Sequence, residues 1–124
     1  MFTNELRIGN WVQRIGFPLK VTGIKGTDVW VDGNGAELEY YIYDGINPIS
    51  LTEEWLVGFG FEPIMGNVFA KWLDRWEGRL IFIDPTLRFY GIEQNGSILF
   101  TSGNNFNKVH QLQNLYFALT GDEL

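Results

Sequence analysis

Hydrophobic and polar positions alternate through the first third of the chain. Trp11-Val12-Gln13-Arg14-Ile15 puts Trp11 and Ile15 on one side and Val12 and Arg14 on the other, which is the two-residue period of a strand. Gly16, Pro18, Gly23 and Gly26 then break the chain into short pieces. Asp28-Val29-Trp30-Val31 and residues 36–43 flank Asp32-Gly33-Asn34-Gly35, a hairpin signal because Asn and Gly tolerate the positive φ of tight turns. Within 36–43, Ala36, Leu38, Tyr40 and Ile42 share one face, and Glu37, Glu39, Tyr41 and Tyr43 the other. Several short strands joined by tight turns predict a small, curled, SH3-like β-sheet.

The period changes after Pro48. Ser50-Leu51-Thr52-Glu53 fits a capping box, and Thr52 followed by Glu53 and Glu54 fits an N-cap with acids in the first turn. Leu51, Trp55, Leu56 and Phe59 form the apolar stripe of a short helix, which Gly58 and Gly60 stop. Residues 68–77 fit two patterns. Phe69, Trp72, Leu73 and Trp76 are spaced as a helical stripe, with Asn67 as its cap and Gly78 as its stop. Aromatic and β-branched content favours a strand over the same residues. Residues 79–83, 87–94 and 97–101 read as strands divided by Asp84-Pro85 and Asn95-Gly96, so a meander follows.

Residues 108–119 predict a helix with Val109, Leu112, Leu115, Tyr116 and Leu119 as its stripe, Asn105 or Asn107 as its cap and Gly121 as its stop. Laid over the meander, this helix completes an α+β fold. The expected order is an N-terminal SH3-like sheet, a short helix, and an antiparallel β-meander covered by a C-terminal helix. One domain is expected over 1–124, with a β-rich lobe at 1–47 and the helix, meander and C-terminal helix at 48–124. On that register Leu115→Ala is expected to cost about 2 to 5 kcal/mol as a core truncation, and His110→Ala little.

A chain of 124 residues supports a single real core. Its 20 aromatic residues must fill that core or spill onto the surface as a binding face. Trp11, Trp55, Phe59, Phe82, Phe89, Phe100 and Tyr116, with Tyr40, Phe69 and Trp72, sit where a face needs filling. The formal charge of −6 carries no basic stripe, which sets nucleic-acid binding at a disadvantage. No run of 18 apolar residues occurs, and the N-terminus lacks the basic-then-apolar layout of a signal peptide. A cytoplasmic, non-membrane protein is expected. Asn95-Gly96-Ser97 matches a glycosylation sequon but reads as a turn.

Chemistry is sparse. Without cysteine there is no disulfide scaffold, thiolate metal site or thiol nucleophile. His110 is the one histidine and lies off the apolar stripe. No serine has the flanking glycines of a nucleophile elbow, and no phosphate-binding glycine motif is complete. Asp32, Asn34 and Glu37 begin like a calcium loop, but Ala36 and Glu37 break the pattern. The sequence therefore points to no catalytic residue, metal or cofactor. The constellation with substance is aromatic. Trp72 and Trp76 beside Lys71 and Arg75, or Tyr41 and Tyr43 beside Glu37 and Glu39, form amphipathic patches of the kind interfaces favour. Tyr41, Tyr43, Trp76 and Arg75 are the candidate interaction residues.

Three segments together carry a resemblance: Leu6-Arg7-Ile8-Gly9-Asn10-Trp11-Val12, then Leu51-Thr52-Glu53-Glu54-Trp55-Leu56 with Phe59-Gly60-Phe61, then Val109-His110-Gln111-Leu112-Gln113-Asn114-Leu115-Tyr116-Phe117-Ala118-Leu119-Thr120-Gly121. In order and spacing the chain resembles a family of small uncharacterised proteins from Bacteroidetes genomes, phages and prophages. The resemblance implies a bacterial or phage cytoplasmic context, strands at 68–73 and a C-terminal helix integral to the domain. It carries no activity, so no site residue is transferred. Val57-Gly58 stands where the family's short helix continues with a longer side chain.

A non-enzymatic module that binds a protein partner or itself is the expected function. Two alternatives stand beside it. One is a small-ligand binder or enzyme using carboxylates in a cleft between the lobes, and the other is a single-strand nucleic-acid binder using aromatics near Arg75, Arg79 or Arg88.

Overall fold

The computed structural model describes residues 5–25, 28–32, 39–42, 46–74, 78–102 and 105–124, and only the backbone of Asp28, Asp74, Phe100, Ser102 and residues 39–42. In chain order the elements are β1 (Trp11–Arg14), β2 (Phe17–Lys25), β3 (Asp28–Asp32), β4 (Glu39–Ile42), α1 (Glu53–Gly58), β5 (Glu62–Met65), β6 (Val68–Asp74), β7 (Arg79–Asp84), β8 (Phe89–Gln94), β9 (Ser97–Ser102) and α2 (Val109–Thr120). The fold is α+β, as the patterning predicts. The chain forms two compact units, Met1–Ser50 with Lys108–Leu124, and Leu51–Asn107.

In the first unit β1-β2-β3-β4 form an antiparallel sheet in sequence order. β2 runs unbroken through Pro18 and Gly23, which were expected to divide it. Pro18 sits next to its start, opposite Gln13, and Gly23 marks a register shift where the Trp30 side chain lies against the bare Cα. Ile15-Gly16 turns β1 into β2 with φ of 50° and 81°, the left-handed sense that fits the twist of a hairpin. The β3–β4 hairpin forms in the register Asp32↔Glu39, with Val31 opposite Tyr40 and Val29 opposite Ile42. Its turn, residues 33–38, lies outside the described residues. The core is aliphatic: Val12, Val21, Val29 and Val31 are fully buried, joined by Leu6, Leu19 and Ile46. Each such side chain contributes about 1.5 to 3 kcal/mol by leaving water.

α2 belongs to this unit and packs on β1, while the meander it was expected to cover belongs to the other unit. Its docking face also differs. Val109, His110, Leu112 and Gln113 are buried, whereas Leu115 and Tyr116 are half-buried and Phe117 and Leu119 exposed. The reason lies in the backbone it meets. β1 is an edge strand, and the segment before it bonds to Val21 only through the Gly9 N–H and the Asn10 carbonyl, so both leave N–H and C=O groups that need partners. Gln113 Oε1 accepts the Trp11 N–H at 2.8 Å, and its Nε2 donates to the Gly9 carbonyl at 3.0 Å. Asn114 accepts from the fully buried Asn10 amide at 2.8 Å and donates to the Glu5 carbonyl at 2.7 Å. Asn10 Oδ1 in turn accepts the Arg7 N–H. The remaining β1 edge pairs with Asn47 through Gln13, in both directions. Arg7 lies over the Phe117 ring, 4.2 Å from its centroid, and grips Glu123 with two guanidinium nitrogens. That contact holds the Glu123 carboxyl below its ordinary range. Lys108 is the N-cap of α2, where an asparagine was expected, and Gly121 closes the helix in the left-handed region.

The second unit starts with α1, capped by Thr52, whose side chain accepts from the Trp55 N–H. Gly60, at φ 91°, turns the chain toward β5 and lies against Lys71 Nζ. Residues 68–74 are a strand, resolving the ambiguity there. Five strands follow one another as β5-β6-β7-β8-β9. Asp84 Oδ1 caps the β7–β8 turn through the N–H groups of Thr86 and Leu87. Asn95-Gly96 is a two-residue turn with φ of 52° and 88°. One face carries the core. Its cross-strand rows are Phe69–Ile83–Tyr90 and Lys71–Ile81–Ile92, because residues directly opposite share a face. Phe69, Ile81 and Ile83 are buried, as are Leu51, Leu56, Phe61 and Phe106 of the same unit.

Candidate interaction surface

Of the four interaction residues expected from sequence, Tyr43, Arg75 and Trp76 lie outside the described residues. Tyr41 is placed in β4 opposite Trp30, with its backbone alone described. The neighbouring Trp72, which the pattern offers both as a core residue and as part of an amphipathic patch, is 48% exposed. Trp55, Phe59, Phe82, Phe89, Trp11 and Tyr116 are half-buried where full burial was expected. The fully buried positions belong mainly to Val, Ile and Leu, with Phe61, Phe69 and Phe106. Branched aliphatics interdigitate closely in a small core, while large rings leave part of their area in solvent.

The second face of the five-stranded sheet gathers what is left over. Register places Glu62, Ala70, Phe82, Gly91 and Thr101 in one row, and Trp72, Leu80, Glu93 and Ile98 in the next. The Phe82 ring covers Gly91, where a Cβ would sit 2.1 Å from the ring tip. That overlap explains why glycine stands in a strand interior. Beside the second row opens a groove of about 330 Å³ lined by Gly60, Glu62, Ile64, Lys71, Trp72 and Leu80. Lys71 is tied down there: Nζ donates to the Phe59 carbonyl at 2.7 Å, and partial burial lowers its pKa. Among the described residues the second face carries the carboxylates Glu62 and Glu93, with Trp72, Leu80 and Ile64 between them, while Lys71 belongs by register to the first face and only borders the groove.

His110, read from sequence as a surface or helix-packing residue, is the latter: it is 2% exposed. Its Nε2 lies 3.3 Å from Glu5 Oε1. Burial lowers its pKa, opposed by the Glu5 carboxylate and reinforced by Lys108. The off-stripe position concealed this, because α2 turns its polar side to β1. Among the described residues no cluster of three or more His, Asp or Glu is arranged to hold a metal ion, and no helix is long and apolar enough to cross a membrane. Comparison with protein-family models, curated proteins and solved structures finds no match to the chain.

Proposed function

We propose that this chain is a non-enzymatic protein-binding module, of the cytoplasmic phage- and prophage-associated family it resembles, and that it binds through the Trp72 face of the second sheet. The half-exposed Trp72 beside the groove carries this reading. A large amphipathic ring left open next to a recess is the composition of an interface centre. The acidic chain and the flanking Glu62 and Glu93 favour a partner whose apolar anchor is set among lysines or arginines. His110 is taken up by the packing of α2.

Site-specific photocrosslinking tests the proposal. A benzophenone side chain at position 72 is expected to give a protein adduct in extracts of the native host, lost when Leu80→Lys is added. The same probe at Leu87, exposed in the β7–β8 turn, is expected to give none. Equal labelling at both positions, or none at position 72, contradicts the proposal.

A further inference from the structure

We propose that β9 pairs edge to edge with the β9 of a second copy, antiparallel, so that the chain is a homodimer built on a continuous ten-stranded sheet. The proposal rests on the sheet edges and is independent of what the Trp72 face binds. A sheet edge offers a row of unpaired N–H and C=O groups that template another strand, and proteins blunt such edges with charge, proline or cover. Three of the four edges here are blunted. β1 is covered by Gln113 and by the pairing of Gln13 with Asn47. β5 begins Glu62-Pro63 and carries a register shift. β4 begins with a charged residue, Glu39.

Of these devices β9 has the register shift alone. Ser97-Ile98-Leu99-Phe100-Thr101-Ser102 holds no charge and no proline, and among the described residues its only strand neighbour is β8. Ile98 is 65% exposed and Leu99 57%. Leu99 is the extra residue of a bulge against β8, opposed by neither Glu93 nor Ile92. Bulged edges usually resist pairing, but the protruding residue here is leucine where protection calls for a charge.

Charge selects a second copy as the occupant. Each chain carries −6, so two copies repel wherever acids meet. Residues 94–107 contain no Asp, Glu, Lys or Arg, the longest such run in the chain. No antiparallel register within it sets like charges opposite one another. In the register centred between Leu99 and Phe100, Ser97 meets Ser102, Ile98 meets Thr101, and Leu99 meets Phe100 of the other copy. Such a pairing is isologous: it uses both edges and closes with a two-fold axis, so it ends at two chains. Ile98 also ends the Trp72–Leu80–Glu93 row. The axis stands perpendicular to the joined sheet and puts both Trp72 faces on the same side.

Sedimentation equilibrium of the full chain between about 1 and about 500 µM tests the proposal. A concentration-dependent dimer is expected. Ile98→Lys and Leu99→Lys are expected to raise its dissociation constant by roughly 100-fold or more. Ile64→Lys, exposed on β5, and Trp72→Ala are expected to leave it within about threefold of the parent. A monomer at every concentration overturns the proposal. So does a dimer that persists in both folded lysine variants, or one that Trp72→Ala abolishes. Because the chain lacks cysteine, paired cysteine variants supply a measurement independent of the lysine variants' folding. Leu99→Cys mixed with Phe100→Cys, which meet directly in this register, is expected to oxidise to a mixed linked dimer at least about tenfold faster than Leu87→Cys mixed with Phe100→Cys, and equal rates overturn the proposal.

Discussion

β1 and β9 are both edge strands of antiparallel sheets in one small chain, and they are finished in opposite ways. At β1 every element nearby contributes a partner. Gln113 takes the Trp11 amide, Asn47 exchanges two backbone bonds with Gln13, and Gln13 Nε2 donates to the Pro48 carbonyl. At β9 the outer side carries exposed Ile98 and Leu99 and no charge. The difference teaches that a helix need not dock on its greasiest side. Where the surface to be covered is unpaired backbone, amide side chains cover it better than leucines, because a buried peptide group without a partner costs about 1 to 3 kcal/mol.

Substitutions on the two edges separate these treatments. Leu112→Ala, at a fully buried position of α2, is expected to cost about 2 to 5 kcal/mol in a denaturant melt. Leu115→Ala, half-buried, is expected to cost less than half of that. Equal costs would restore the helix register read from sequence. Gln113→Ala is expected to cost about 2 to 4 kcal/mol, since it strands the Trp11 N–H and the Gly9 carbonyl together. Ile98→Ala on the bare edge is expected to stay within about 0.5 kcal/mol when the protein is dilute.

The seam at β1 also carries a pH signature. Burial depresses the His110 pKa, with Glu5 opposing and Lys108 assisting. The unfolded chain therefore binds the proton more readily than the fold does. Stability is expected to be full above the ordinary histidine pKa and to decline as pH falls through it toward the lower folded value. His110→Gln is expected to flatten that part of the profile, and an unchanged slope in urea melts at stepped pH would show that His110 does not titrate against the fold. A smaller effect is expected at the β1–β2 turn, where Ile15 holds φ 50° with an exposed side chain. A β-branched residue is strained there, and asparagine is the residue type-I′ turns prefer. Ile15→Asn is expected to raise the melting midpoint, by the equivalent of about 0.5 to 1 kcal/mol.

Much of the architecture was legible. Asn95-Gly96 marked a tight hairpin, Thr52-Glu53-Glu54 marked the start of α1, and the strands from Arg79 onward followed from β-branched runs. What the pattern hid has a physical cause in each case. β5 escaped because Glu62-Pro63-Ile64-Met65 does not alternate and contains a proline, which a short edge strand accommodates. α2 was found, but its docking side was not, since periodicity ranks apolar residues and is blind to a neighbour's unpaired backbone. Trp72 stays open between core and interface in the sequence because hydrophobicity alone does not distinguish the two faces of a sheet. The bare edge at β9 was likewise illegible, since only the strand order shows which strand is last.

Amide hydrogen exchange on the full chain, at low and at high protein concentration, compares the two edges directly. The Trp11 and Gln13 amides of β1 are expected to be protected at both concentrations, by Gln113 Oε1 and the Asn47 carbonyl. The outward amides of residues 97–102 are expected to exchange fast in dilute protein and to slow as concentration rises and the second copy pairs. Trp11 exchanging as fast as dilute β9, or β9 exchange that ignores concentration, would contradict the contrast between a sealed edge and an open one.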